Sequence, residues 1–367
     1  MTSHKPPAPA PHQYICDIAP YVGGEAKIVG AQRVIRLASN ESALGPSRKA
    51  IAAYRAAATE IFRYPDGGST ELRQAIAAHF GLDADRIVCG TGSDELIALI
   101  ARSYAGPGDE VICSRHGFLM YPIAAQAAGA SPVSVPERNL TADPDAILAH
   151  VTPRTRVVFL ANPNNPTGTC LSRAAVMHLH SSLPKSTILV LDAAYAEFVT
   201  RNDYEPGLEL AASEPNVVML RTFSKIHALA GLRVGWCYGS AELAEVLNRT
   251  RGTFNVGLPA QAAAIASLGD TGSLQRAQDH NNRWRPWLED QIRGLGLEVN
   301  PAVANFVLVK FAPAPKDAAA AQAFLKSRFI LVRQMGAYHL PQYLRITVGT
   351  AEENRAVVAA LAEFVAS

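Results

Sequence analysis

The sequence predicts an α/β fold: a helix-covered, largely parallel sheet followed by a smaller α+β unit. Two patterns carry that expectation. Between about Ile87 and Gly239, short apolar, β-branched runs alternate with stretches whose apolar residues recur every three to four positions. From Thr271 the pattern changes to one long helical segment and then a second group of short strands and helices. A chain of 367 residues is also long for one hydrophobic core, so size alone favours a large domain with a smaller companion and a cleft between them.

Taken in order, strands are expected at Ile87–Cys89, Glu110–Ser114, Ser131–Val135, Arg156–Ala161, Thr187–Leu191, Val217–Leu220 and Arg233–Tyr238, each a short apolar run. Helices fill the intervals. In Asp94–Tyr104 the residues Leu96, Leu99 and Ile100 share one face, and a second helix is expected over Tyr121–Ala128. The helical segment that starts at Thr271 is expected to be interrupted at Pro286, because proline removes a backbone donor. Beyond it come Phe306–Phe311, Ala318–Arg328, Ile330–Arg333, Leu344–Val348 and a closing helix Glu352–Val365; APAPKDAAAAQA reads as a turn leading into the alanine-rich helix.

Composition narrows the function classes. With 49% hydrophobic and 18% charged residues the chain can bury an ample core. The formal net charge is +2 and lysine and arginine are scattered, so nothing points to nucleic acid as partner. The five cysteines are far apart and form no C-x-x-C pair, which fits reduced core thiols and a cytoplasmic location. The opening MTSHKPPAPAPHQ has no apolar h-region and its repeated prolines favour an extended tail; no apolar span is long enough to cross a bilayer. No H-E-x-x-H occurs among the ten histidines, and no metal site is expected.

Four fragments at successive strand ends carry chemistry. Gly90-Thr91-Gly92-Ser93-Asp94-Glu95 follows a strand and opens a helix, so its free N–H groups form either a phosphate cup or a helix start capped by Ser93 or Asp94. Asn162-Pro163-Asn164-Asn165-Pro166-Thr167-Gly168 forces a turn at a sheet edge, with a cis bond expected before Pro166; an ordinary turn explains the prolines but leaves three asparagines without a task. Asp192 leaves an apolar strand, followed by Tyr195, and serves either as a helix cap or as the partner of a buried cation. Thr222-Phe223-Ser224-Lys225, with Arg233 eight residues further on, sets a lysine either where it can meet an anion or an aldehyde or simply as a solvated side chain at a strand end.

Their order resembles the pyridoxal-phosphate enzymes of the aspartate aminotransferase fold (fold type I), in particular the histidinol-phosphate aminotransferase family. The resemblance runs from Ile18-Ala19-Pro20-Tyr21-Val22 through Ala38-Ser39-Asn40-Glu41 and Tyr64-Pro65-Asp66 to Leu344-Arg345-Ile346-Thr347-Val348-Gly349. It implies a seven-stranded, mostly parallel sheet in a large domain (residues 40–270), a small α+β domain (271–367) and an N-terminal arm (1–39) that is partly built into the small one. It also implies pyridoxal 5'-phosphate as cofactor and a homodimer with shared active sites.

Residue by residue, the resemblance makes Lys225 the attachment point for the cofactor aldehyde and the base that moves the substrate proton. Asp192 matches the partner of the pyridine nitrogen, and Asn165 and Tyr195 match the residues that bond the ring's phenolic oxygen. The backbone of Ser93 and Asp94 and the side chains of Thr222, Ser224 and Arg233 match the phosphate contacts, with Tyr64 reaching the phosphate of the neighbouring subunit. Phe118 stands where the family usually has a tyrosine stacked on the ring. Arg345 and Arg333 match the anion contacts for substrate, and Asn40 and Tyr21 match residues at the mouth. The expected reaction passes the amino group of L-histidinol phosphate to 2-oxoglutarate. An aromatic amino-acid aminotransferase would share the cofactor residues, and a phosphothreonine-type decarboxylase or a non-catalytic cofactor-binding regulator are the remaining alternatives.

Overall fold

The structure, a computed structural model, describes residues 9–30 and 33–367; the proline-rich opening at residues 1–8, expected to be extended, lies outside them. Strand β1 (Ile35–Arg36) precedes the large sheet, which is built from β2 (Ile87–Gly90), β3 (Glu110–Ser114), β4 (Ser131–Val135), β5 (Thr155–Ala161), β6 (Ile188–Asp192), β7 (Val217–Thr222) and β8 (Gly235–Tyr238). Its order is β2-β8-β7-β6-β5-β3-β4, and every neighbour pair is parallel except the two made by β8.

These strands lie within one or two residues of the expected bounds, and all but the partly exposed edge strand β4 are buried on both faces. Val158, Leu160, Leu189, Leu191, Val217 and Met219 pack into one core, while Val157, Phe159, Val190, Val218 and Leu220 pack into the core on the opposite face. Successive side chains alternate between the faces, so a strand covered by helices on both sides reads as an uninterrupted apolar run.

The C-terminal region folds around a four-stranded antiparallel sheet, β12 (Arg333–Gln334), β13 (Tyr343–Thr347), β10 (Phe306–Lys310) and β9 (Glu298–Asn300), in that order. β1 pairs in parallel with β11 (Ile330–Leu331), which ties the N-terminal segment to this region.

Two expectations need correction. Pro286 does not interrupt its helix: Thr271–Gly294 is continuous. The proline still leaves the carbonyl four residues earlier without its donor. Trp284, Leu288 and Ile292 on that helix are buried against Val299, Val307, Leu344 and Leu361, and this packing outweighs the lost bond. Nor is Ile330–Arg333 one strand. The chain leaves β1 after Leu331 and joins β13 at Arg333, so the two halves belong to different sheets and Arg333 comes to stand directly across from Arg345.

Candidate active site

A cavity of about 380 Å³ opens at the C-terminal edge of the parallel strands. It is lined by Ala161 at the end of β5, Asp192 at the end of β6, Thr222 at the end of β7, and Ser93, Phe118 and Lys225 just beyond β2, β3 and β7. Open α/β sheets place ligands at this edge because the loops leaving the strands diverge there. All the site residues expected from the sequence line this one cavity, with the exception of Tyr64. Tyr64 lies outside it, 81% exposed and stacked on Phe254 with ring centres 4.6 Å apart.

One end of the cavity is a nest of donors. Gly92, with φ +77°, is the N-cap of helix Ser93–Tyr104 and supplies no side-chain cap, so the first-turn N–H groups remain free. The capped alternative for Gly90–Glu95 is therefore not the one the chain adopts. Antiparallel β8 brings Gly235 between Gly90 and Thr222, and Arg233 enters from the same side. Arg233 donates from Nη1 to Ser224 Oγ and from Nη2 to Asp94 Oδ2, both at 3.2 Å. A Cβ on Gly235 would strike the backbone of Gly92 and Ser93, so only glycine leaves this cradle open. Arg233 itself is held at φ +54°, as is Asn40; such left-handed backbone in a non-glycine residue is strained, and both residues line the cavity.

The middle of the cavity is polar. Asp192, 5% exposed, accepts from Tyr121 Oη at 2.7 Å and from the backbone N–H of Ala194 at 3.2 Å. Burial pushes its carboxyl up to about 6, against those two bonds. Lys225 Nζ lies 3.4 Å from the Ser39 carbonyl and 5.5 Å from the centre of the Tyr195 ring. It keeps some accessible surface as a lining residue, yet protein surrounds it, and that burial, reinforced by Arg345, lowers its amine to about 8. The Tyr195 hydroxyl accepts from Asn40 Nδ2 at 2.9 Å, and burial raises its phenol. Phe118 closes the wall, edge-on to Tyr21 and Tyr121 at 6.4 and 5.8 Å. The peptide bonds before Pro163 and Pro166 are both cis, the second as expected.

Arg345 and Arg333 line the same cavity, facing each other across β13 and β12 and 3% and 8% exposed. Among the described residues no carboxylate lies within 4 Å of either guanidinium. Arg345 donates instead to Asn165 Oδ1 and to the Ala38 carbonyl, and Arg333 to the Val22 carbonyl. Two like charges facing each other in a buried sheet are unfavourable unless an anion joins them.

The cavity can therefore hold a ligand with an anionic group in the glycine cradle, a flat ring against Phe118, a cationic ring atom at Asp192 and a carbonyl at Lys225. A second anion fits at the arginines. Sequence reasoning did not assign Tyr121. It reads as an apolar helix position, and a buried tyrosine announces only that its hydroxyl needs some partner, not which one.

Comparison with known proteins agrees with this geometry. Residues 32–361 match the family profile for aminotransferase class I and II. The chain is 58% identical over 359 residues to a histidinol-phosphate aminotransferase of Paramagnetospirillum magneticum, covering 98% of this chain and 99% of the relative. A second relative of the same name, from Rhodospirillum centenum, is 55% identical over 356 residues, covering 97% and 98%. Among solved structures, the histidinol-phosphate aminotransferase of Sinorhizobium meliloti in complex with pyridoxal-5'-phosphate superposes with a TM-score of 0.88 at 31% identity, covering 96% of each chain. Match, identity and coverage together place the chain in the class I and II aminotransferase family, as a member of its histidinol-phosphate aminotransferase group.

Proposed function

We propose that this protein is a pyridoxal-phosphate-dependent aminotransferase of histidine biosynthesis, converting L-histidinol phosphate and 2-oxoglutarate into imidazole acetol phosphate and L-glutamate. The observation that carries the reading is the convergence in one cavity of a lysine of lowered basicity, a buried carboxylate, a glycine-lined donor cradle and two buried arginines that have no carboxylate partner among the described residues.

Bound pyridoxal phosphate supplies an aldehyde that exchanges nitrogen with substrate and a ring that accepts the electron pair left by proton loss. The rest falls to the chain. Lys225 anchors the cofactor and, once released, carries the proton at the substrate carbon; a positioned base of this kind contributes on the order of 10²- to 10⁴-fold. Asp192 keeps the ring nitrogen protonated, and Tyr121 and the Ala194 amide orient the carboxylate. Tyr195 and the free amide nitrogen of Asn165 stabilise the ring's phenolic oxygen. The backbone N–H groups of Ser93 and Asp94, with the side chains of Thr222, Ser224 and Arg233, seat the cofactor phosphate, and the planar Arg233 fork suits it. Arg345 and Arg333 take the substrate's anion, while Tyr21 and Asn40 close the mouth.

We further propose a homodimer in which Tyr64 serves the partner's site. Ile61, Phe62 and Tyr64 are 69%, 71% and 81% exposed on one short segment, an apolar face that a second copy would cover. Residues 40–270 would form the cofactor-holding domain, with 271–367 and the 1–39 arm as the smaller one; the β1–β11 pairing supports that grouping. A cytoplasmic location fits the free cysteines, and no described helix is long and apolar enough to cross a membrane. Sedimentation at twice the chain mass, lost on breaking the Tyr64 face, is the expected result for the dimer.

The reaction is tested by steady-state assay of the loaded protein with histidinol phosphate and 2-oxoglutarate. Parallel double-reciprocal lines and glutamate formation are expected, and intersecting lines would contradict the two-stage exchange. An aromatic amino-acid aminotransferase is the second reading, favoured by the Tyr21 and Phe118 walls. Phenylalanine turning over faster than histidinol phosphate would establish it.

A further inference from the structure

We infer that Thr347 and Asn40 are positioning residues for Tyr195: together they fix the direction of its hydroxyl proton, so that the phenol donates into the cavity, towards the ring oxygen of the cofactor. The inference rests on the assignment of Tyr195 to that oxygen made above. It gives Thr347 a role and Asn40 a further one.

Both residues are buried, Asn40 at 1% and Thr347 at 2% exposure. Thr347 follows Arg345 by two positions on β13, so both side chains leave the same face of the strand. Its Oγ1 accepts from the backbone N–H of Asn40 at 2.9 Å, which ties Asn40 to β13. Asn305 Nδ2 donates to the Asn40 carbonyl at 3.1 Å and helps to hold that backbone at φ +54°. Three consecutive residues then meet three functional side chains. The Ala38 carbonyl accepts from Arg345 at 2.8 Å, the Ser39 carbonyl from Lys225 at 3.4 Å, and the Asn40 amide reaches Tyr195.

The polarity follows from the protons available. A backbone N–H only donates, so the Thr347 oxygen receives it and keeps its own proton to give. The acceptor of that proton is Asn40 Oδ1, at 3.2 Å. With Oδ1 engaged, Nδ2 is turned to Tyr195 and donates to its Oη at 2.9 Å. A reversed amide would leave the Thr347 proton without an acceptor, and that is unfavourable in a buried position. The Tyr195 ring is itself fixed, packed with Phe198, Ile226 and Phe306 and edge-on to the last at 5.4 Å. Since its oxygen already receives a proton from Asn40, its own proton points away from Asn40, and among the described residues nothing accepts it. Tyr195 and Asn40 both line the cavity. A phenol proton presented there calls for an acceptor, and an oxygen that readily carries negative charge answers it best.

The test is a pH titration of the bound cofactor's absorbance in the loaded protein. Thr347→Val removes the hydroxyl at nearly constant shape. The midpoint should then rise by about 0.5–1 pH unit, because a donor that is less well aimed holds the anion of the ring oxygen less firmly. Thr347→Ser should restore the wild-type midpoint. Asn40→Gly, which tolerates the positive φ, should shift it in the same direction as Thr347→Val. In a Tyr195→Phe background Thr347→Val should add nothing, as expected for groups acting in series. An unmoved midpoint accompanied only by lower urea stability, or an equal shift with and without the Tyr195 hydroxyl, would overturn the inference by revealing a merely structural role. If Tyr195→Phe alone leaves the midpoint in place, the assignment of Tyr195 to the ring oxygen falls and the relay with it. A shift in Tyr195→Phe with none in Thr347→Val removes the relay alone.

Discussion

Tyr121→Phe isolates one bond at the centre of the site. The phenol donates to Asp192 Oδ2 at 2.7 Å, and its ring is stacked on Phe159 with centres 4.8 Å apart and planes 2° from parallel. Phenylalanine keeps that stacking, so the variant removes a hydrogen bond and opens no sizeable cavity. A buried bond to a charged acceptor contributes about 1.5–3 kcal/mol, which corresponds to roughly 10- to 100-fold in an equilibrium constant. Among the described residues, the carboxylate then retains only the Ala194 amide, at 3.2 Å. Cofactor affinity, measured by absorbance titration of the apo-protein, should fall by about tenfold.

The same substitution has a pH signature. Asp192 titrates near 6 in the folded chain against 3.8 for a free carboxyl, so its folded-state pKa is raised. The unfavourable buried charge is then present in full above about pH 6 and fades as pH falls towards 4, where folded Asp192 binds a proton that the unfolded chain does not hold. Tyr121 stabilises the charged form, and its loss should lower the urea stability of the apo-protein more at about pH 8 than at about pH 5. Equal losses at both pH values, or unaltered cofactor affinity, would refute the reasoning.

Three further outcomes are expected. Capture of pyridoxal phosphate by Lys225 in the apo-protein should accelerate with a midpoint near pH 8, because the neutral amine reacts; a midpoint near 10.5 would mean that burial does not set its basicity. Gly235→Ala should weaken cofactor binding by at least about tenfold by pushing Gly92 and Ser93 out of place, as equilibrium dialysis would report, and wild-type affinity would show that the cradle yields. Pro286→Ala should raise the unfolding free energy by up to about 3 kcal/mol in urea titration, since the helix runs through that position; a loss of stability would show that the proline ring is needed for packing.

The parallel strands were legible because their burial on both faces leaves continuous apolar runs such as Val157–Leu160 and Leu189–Leu191. Pro286 and the Ile330–Arg333 segment misled for a shared reason. Local propensity argued for a break in the first and for one strand in the second, and packing against the C-terminal sheet decided both. In the site, Lys225 and Asp192 stood out as charges beside apolar runs and Arg233 by its spacing from Lys225, whereas Arg345 and Arg333 were assigned by the family resemblance. Tyr121 did not stand out, because a tyrosine in an apolar stretch looks like any other core aromatic.

By itself, then, the amino-acid order determined the α/β class, the strand ends where chemistry collects and the residue types gathered there, since periodicity and turn residues act over a few positions. The tertiary structure alone decided which hydroxyl meets Asp192 and that Arg333 and Arg345 face each other with no carboxylate beside either among the described residues. Those facts depend on contacts between residues 12 to more than 70 positions apart, and a hydrogen bond acts over about 3 Å of space regardless of the length of chain between its partners.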